Sequence, residues 1–406
     1  MKNFPYAFHI ALDGNGINGL EGLAGVCLFL FDPVTNNYAY KIVYYDGIAG
    51  AHAISVNPSG SIGFLGNTGQ HLLFYDTNNL GEISRTSTLQ FEIPATSLQG
   101  STHVVWRSDT EIVTPIGDHF YAFDLKQLSN PRKLVKHGVK IPHGMKVTSS
   151  GRYVVYGSMD SPAHGQLGEA KHVGIWDTGT DEVTVVPLPA TCWHVVAHPS
   201  NDIFYAISFR VVPQDYRDYH DWGMAYMKEY AFEIDARTKR VARHWAVGRE
   251  VPAHINSDIT LSDSELIFCN GGSQSIVAVE LKNFANFRII DERADLSAHL
   301  ARPREVVNQV YEALARGNLF TSGRHFLGAL KVSRFSLLDS VYACQLSADQ
   351  SLLFTANRGL NQITIYNYPS GEIRARVPMP DLQTYIPWLS PAADPRLGFH
   401  HSVLLG

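Results

Sequence analysis

Five histidines in this chain recur at one position of a repeated pattern. His52, His103, His143, His194 and His254 each open a short alternating segment that runs into a tight turn, and they lie 51, 40, 51 and 60 residues apart. A neutral imidazole presents a nitrogen lone pair near pH 7 and is the commonest ligand for transition metals. Histidines far apart in sequence but equivalent in a repeat can converge on one point. A ring of nitrogen donors suits Fe, Cu or Mn, and Zn as well. The second nitrogen of each ring can be anchored by a carboxylate. Because a ligand must be deprotonated, metal binding is expected to weaken below the imidazole pKa, ~6.5 for a free side chain. The plainer reading is a set of polar residues lining a water-filled channel, where Ser, Thr or Asn would serve equally.

The elements that position these histidines follow from the unit Gly50–Asp76, GAHAISVNPSGSIGFLGNTGQHLLFYD. A strand from His52, a turn at Asn57-Pro58-Ser59-Gly60, a strand from Ile62 and a third from His71 form a β-meander. Copies begin near residues 102, 142, 193, 254 and 341. A period of 40 to 50 residues with four short strands per unit predicts a β-propeller. Residues 5–46 supply three strands, Tyr6–Leu12, Val26–Asp32 and Tyr38–Tyr45, without an inner partner. Phe399–Leu405 supplies that partner and closes the ring. The expectation is an all-β, seven-bladed β-propeller forming a single domain over residues 1–406. His401 or His400 then enters the histidine ring from the closing blade, and Tyr342 occupies the equivalent place in another.

Register qualifies this picture. Aligned on the following turn, His52 and His143 match, His103 and His194 fall one residue later, and His254 falls three earlier. One residue turns a side chain to the other face unless a bulge compensates. Three or four of the six histidines are therefore expected to face the axis.

Ser351–Asn367, SLLFTANRGLNQITIYN, resembles the YVTN-type propeller repeat in its apolar pair, its Thr-x-Asn step and its Gly/Asn turn before an alternating strand. Ile62–Asp76 and Glu265–Glu280 resemble it less closely. The resemblance implies a YVTN/WD-type propeller fold and no chemistry.

Strand alternation puts short turns on one face and nearly every insertion on the other: 13–25, 158–171, 210–227, 294–338 and 381–398. Long loops on one face of a rigid scaffold usually carry function. The 294–338 segment is expected to hold a helix around 300–317, with Pro303 at its start and Val306, Val310 and Leu314 on one stripe. Arg210–Met227 is rich in aromatic and polar residues. It is expected to form a pocket wall, with Arg210, Tyr219 and His220 as catalytic candidates and Tyr216, Trp222 and Tyr342 as substrate contacts. The histidines His71, His119 and His172 open third strands and are expected to be structural.

Net charge is −5 with no Lys/Arg run, which argues against nucleic acid as a partner. No apolar stretch approaches membrane-spanning length. The N-terminus reads as a strand rather than a secretory signal. Cys27, Cys192, Cys269 and Cys344 lie far apart without a CxxC, as expected of buried thiols in a reducing cytoplasm. No GxSxG, HExxH, Walker or dinucleotide motif occurs, so no nucleotide cofactor is expected. The histidine ring points to a metal-dependent oxidoreductase acting on a small organic molecule. In outline it is similar to the carotenoid-cleaving dioxygenases, whose propeller holds iron by histidines from different blades. The alternatives are a metal-dependent lyase or lactonase, the former similar in outline to oligogalacturonate lyases, and a non-catalytic binding propeller.

Overall fold

The computed structural model describes residues 4–14, 23–67, 71–88, 103–159, 170–189, 191–210, 229–247, 256–270, 275–292, 341–391 and 393–406. These form seven four-stranded antiparallel sheets, the blades of a seven-bladed β-propeller. The helix expected at 300–317 lies outside the described residues.

Blade 1 is ordered Phe399–Leu405, Tyr6–Leu12, Leu23–Phe31 and Tyr38–Ala49 from the axis outwards. Its innermost strand is thus the last of the chain, paired with Tyr6–Leu12 through Phe8↔Leu404 and Ile10↔Ser402. The other blades follow in chain order. Their innermost strands are Ala51–Val56, Val105–Trp106, Ile141–Val147, Thr191–Ala197, Asn256–Leu261 and Val341–Leu346.

Both faces of each blade pack on neighbours, so the middle strands are apolar nearly throughout. Leu352–Asn357 and Leu23–Phe31 are almost wholly buried. The cluster joining blades 7 and 1 contains Phe8, Phe29, Phe31, Phe354 and Phe399, none of them exposed. The ring of Phe354 lies 5.6 Å from those of Tyr6 and Phe8 and 6.0 Å from Phe31. Such pairs add roughly 0.5–1.5 kcal/mol each beyond area burial.

The turn after each innermost strand is closed by one backbone hydrogen bond in the same slot. The donors are the amides of Asn57, Arg107, Thr148, His198, Ser262 and Ser347. Asn57 secures its own turn by accepting from the amides of Ser61 and Ile62 through Oδ1. These bonds give each blade a common ruler for locating the residues upstream.

Among the described residues, six of the seven innermost strands slip register by one residue at the same height. The slips fall between Ala51 and Ile54, His143 and Lys146, Cys192 and His194, Asn256 and Ile259, and Val341 and Ala343, and opposite Ile10–Leu12 in the closing strand. Each of these slips puts one extra residue on the innermost strand, a β-bulge that re-aims side chains, and blade 5 adds a slip of the opposite sense between Thr191 and Cys192. The remaining innermost strand, Val105–Trp106, is only two residues long and begins just after His103.

Candidate metal centre

The bulges settle the register question that the repeat raised. Measured back from the turn slots, His52, His143 and Tyr342 lie five residues upstream, and His103, His194 and Asp258 lie four upstream. On regular strands these two offsets would face opposite ways. On bulged strands both reach the axis, and His103 joins them from the segment just before Val105–Trp106, whose pairing shows no bulge.

Four imidazoles, those of His52, His103, His143 and His401, place one ring nitrogen each so that all four lie within 4.8 Å of one another. All four side chains are buried. Around a transition metal with nitrogen ligands at about 2.0–2.1 Å, no two donors can be more than about 4.2 Å apart. The cluster is therefore of metal-site dimensions after only a small contraction. His194 flanks it, with its ring 4.6 Å from that of His401 and 4.9 Å from that of His143. His400 flanks the other side, 4.8 Å from His52 and 5.0 Å from His401. Both rings of the closing strand thus join the cluster, where the repeat alone left the choice between them open.

The anchoring of His143 can be traced to two glycines. Gly144 has φ +56°, and a Cβ there would sit 2.5 Å from the Trp193 carbonyl oxygen. At Gly157 a Cβ would lie 2.4 Å from the Cys192 carbonyl oxygen. Without side chains at these positions, the backbone of blade 5 packs directly on blade 4. That approach lets His143 Nδ1 donate to the Trp193 carbonyl at 3.0 Å. A carbonyl only accepts, so the proton sits on Nδ1 and Nε2 is left with its lone pair. His52 directs its own Nε2 to the same point, 2.5 Å from His143 Nε2. At that distance a neutral His52 can donate through Nε2–H to His143 Nε2, and the two rings must move apart by a few tenths of an ångström to ligate one ion, whose neighbouring donors lie about 2.9 Å apart. His401 Nδ1 is 3.9 Å from the Asp258 carboxylate, which holds the opposite side of the cluster.

Burial keeps five of these rings, those of His52, His103, His143, His194 and His400, neutral. It pushes the His52 pKa down to about 3, helped by repulsion from His401. Burial, and then the neighbouring imidazoles, hold His103, His143, His194 and His400 well below the ordinary value. Neutral imidazoles are the form that ligates. Buried nitrogens on His52, His103 and His400 (Nδ1 in each) have no hydrogen-bond partner among the described residues. The donor set, its neutrality and its spacing all fit a transition-metal ion.

Asp258 stands where the repeat suggested His254, which lies outside the described residues. Its Oδ2 accepts from Ser402 Oγ at 2.8 Å, Gln345 Nε2 at 3.2 Å and the Cys344 amide at 3.2 Å. Its offset of four residues from the turn slot, shared with His103 and His194, was the available signal. Tyr342 is brought to the cluster, its ring 5.0 Å from His400 and capped by the Arg358 guanidinium at 5.3 Å. Arg358 is paired in turn with Asp13 at 2.9 Å. Burial pushes the Asp13 carboxyl up to about 7 against the pull of that guanidinium.

Arg210 ends the second strand of blade 5, opposite Thr191. Tyr216, Tyr219, His220 and Trp222 lie outside the described residues. His71, His119 and His172 open the third strands, away from the axis.

On the short-turn side of the histidines a narrow axial pocket continues, lined in part by Ser55, Lys146, Asp258 and Ser402 together with His103, His194 and His401. Lys146 is surrounded by protein yet reached by water, as befits a group facing such a pocket. Nothing in the repeat distinguished it from a surface lysine. No helix among the described residues is long and apolar enough to cross a membrane. All four cysteines are free and buried.

No family model matches the chain. Among solved structures, it is similar to a hydrazine synthase from Kuenenia stuttgartiensis, with 13% identity over 83% of this chain and 90% of that one, at TM-score 0.55. It is also similar to a putative 6-phosphogluconolactonase from Bacteroides fragilis, with 10% identity over 99% of this chain and 98% of that one, at TM-score 0.59. At these identities the likeness is one of fold, and it places the chain among the β-propellers.

Proposed function

We propose that this protein is a metal-dependent enzyme. In this reading His52, His103, His143 and His401 hold one divalent transition metal on the propeller axis, and the reaction is an oxidation or reduction of a small organic molecule. The observation that carries the reading is the convergence of four buried ring nitrogens within 4.8 Å, contributed by four different blades.

The donor set explains the preference for redox chemistry. Four neutral nitrogens leave the full charge of a divalent ion uncompensated, and imidazole suits Fe and Cu as well as Zn. A redox-active metal so held would supply electron transfer or Lewis acidity to the substrate. The chain's residues supply the rest. Trp193 fixes the orientation of His143, Asp258 lies beside His401, and His194 and Tyr342 flank the site as polar contacts. Arg210, Tyr216, Tyr219, His220 and Trp222 remain our candidates for the outer wall. Four buried thiols suit a reducing compartment, which supports a cytoplasmic location.

The test is elemental analysis after reconstitution with Fe(II), Cu(II), Mn(II) and Zn(II) in turn, on the natural chain and on His143→Ala. One tightly held ion per chain, lost in the variant, is expected. Less than a tenth of an equivalent of every metal would end this reading and favour a non-catalytic binding propeller.

A further inference from the structure

The axial pocket contains an ammonium that no described group bonds directly, with the Asp258 carboxylate on the same wall as its nearest counter-charge. Among the described residues, no hydrogen-bond acceptor and no carboxylate oxygen pairs with Lys146 Nζ within 4.0 Å. The nearby carboxylate of Asp258 is already occupied. Its oxygens take the donors of Ser402, Gln345 and the Cys344 and Ile259 amides. Lys146 reaches the pocket because the bulge after His143 displaces it, the pairing resuming only at Lys146↔Val155. The bulge that aims His143 at the centre thus also places an ammonium in the pocket that His103, His194 and His401 line.

An ammonium is a compact, strongly hydrated point charge, and Lys146, reached by water, keeps its donors free for a ligand. The other lining side chains include the hydroxyls of Ser55 and Ser402, which can donate as well as accept. Lys146 offsets the single Asp258 carboxylate, and a divalent ion held by imidazoles alone would leave the pocket positive, so it favours a negatively charged guest, which the narrowness of the pocket restricts to a few heavy atoms.

We propose that the axial pocket is an oxyanion subsite, in which Lys146 holds the charged oxygens of a small carboxylate or inorganic oxyanion against the histidine centre. The inference rests on the metal reading above and sharpens it, since it names a small anion as the substrate class. Lys146 is a binding residue in this scheme and takes no part in bond making.

The test uses the full chain loaded with Cu(II), with copper content measured in every sample. Formate, acetate and nitrite are titrated while the visible absorption and electron paramagnetic resonance of the copper are followed, with acetamide as the neutral control. At least tenfold weaker anion binding in Lys146→Met, near-natural binding in Lys146→Arg and no response to acetamide are expected. Lys146→Gln replaces Lys146→Met should the latter fail to fold. Equal affinities in the natural chain and the Met variant, or no anion response in protein carrying one copper per chain, would overturn the subsite alone. If the natural chain takes up no copper, the copper assay of the pocket is lost, and the metal reading falls as well only if Fe(II), Mn(II) and Zn(II) are also refused. The pocket is then read by calorimetry of acetate binding to metal-free protein, where a tenfold loss in Lys146→Met supports the subsite and unchanged heats overturn it.

Discussion

A buried imidazole is costly to protonate, and this chain places several side by side. His52 is held at a pKa of about 3, and His9, buried on the second strand of blade 1, at about 4. Both values lie below the ~6.5 of an unfolded chain. Below pH 6.5 the unfolded chain therefore takes up protons that the folded one refuses. Folding stability is fully present above that pH and falls as the pH drops, through the window from 6.5 to about 4 for His9 and to about 3 for His52. Each such histidine contributes a slope of ~1.4 kcal/mol per pH unit. Denaturant melts of metal-free protein between pH 7 and pH 4.5 should show this loss, and His9→Gln, if folded, should reduce the slope by about one proton. A stability independent of pH over that range would contradict the neutrality of the cluster. At this scale the sequence was informative about residue type and poor about environment. Five of the six suggested histidines are described and come together, because the slot repeats. Lys146 was invisible, since a lysine gains meaning only from what surrounds it.

The bulge is the element that converts a repeat into a site. Period-2 alternation was enough to place strands and turns, because each turn slot carries its own polar residue and its own backbone bond. It could not place side chains on the axis, since a single extra residue reverses their direction. Gly144 was the local hint, a residue able to take φ +56° at the bulge. Two alanine substitutions separate its roles. Gly151 also has positive φ, +73°, but a Cβ there would meet nothing within 4 Å. Gly151→Ala should cost only the conformational term, about 1–2 kcal/mol. Gly144→Ala carries the same term and in addition drives a Cβ into the Trp193 carbonyl. It should cost clearly more in a denaturant melt and should also weaken metal uptake, because the His143–Trp193 hydrogen bond depends on that approach. Equal costs at the two glycines, with metal uptake unchanged in both, would remove Gly144 from the account of the site.

For the whole molecule, closure and chemistry depend on one strand. Phe399–Leu405 completes blade 1, and its Phe399 is fully buried in the core shared with blade 7. The same eight C-terminal residues deliver His400, His401 and Ser402 to the axis, and Ser402 Oγ holds Asp258 at 2.8 Å. Removing residues 399–406 would leave Tyr6–Leu12 as an open edge and withdraw the Phe399 side chain, a loss of ~3–5 kcal/mol for a buried aromatic even before any hydrogen bond is counted. The truncated chain should melt at a markedly lower temperature and bind no metal. A synthetic peptide of sequence FHHSVLLG, added in excess, should then pair with the open edge and restore both properties by mass action. The same peptide with His401→Ala separates the two roles. It should restore most of the melting temperature, since the backbone ladder and Phe399 are intact, while metal uptake stays low. If the substituted peptide restores metal uptake as fully as the natural one, His401 is not a ligand. If the truncated chain melts like the full one, closure by this strand contributes nothing to the ring.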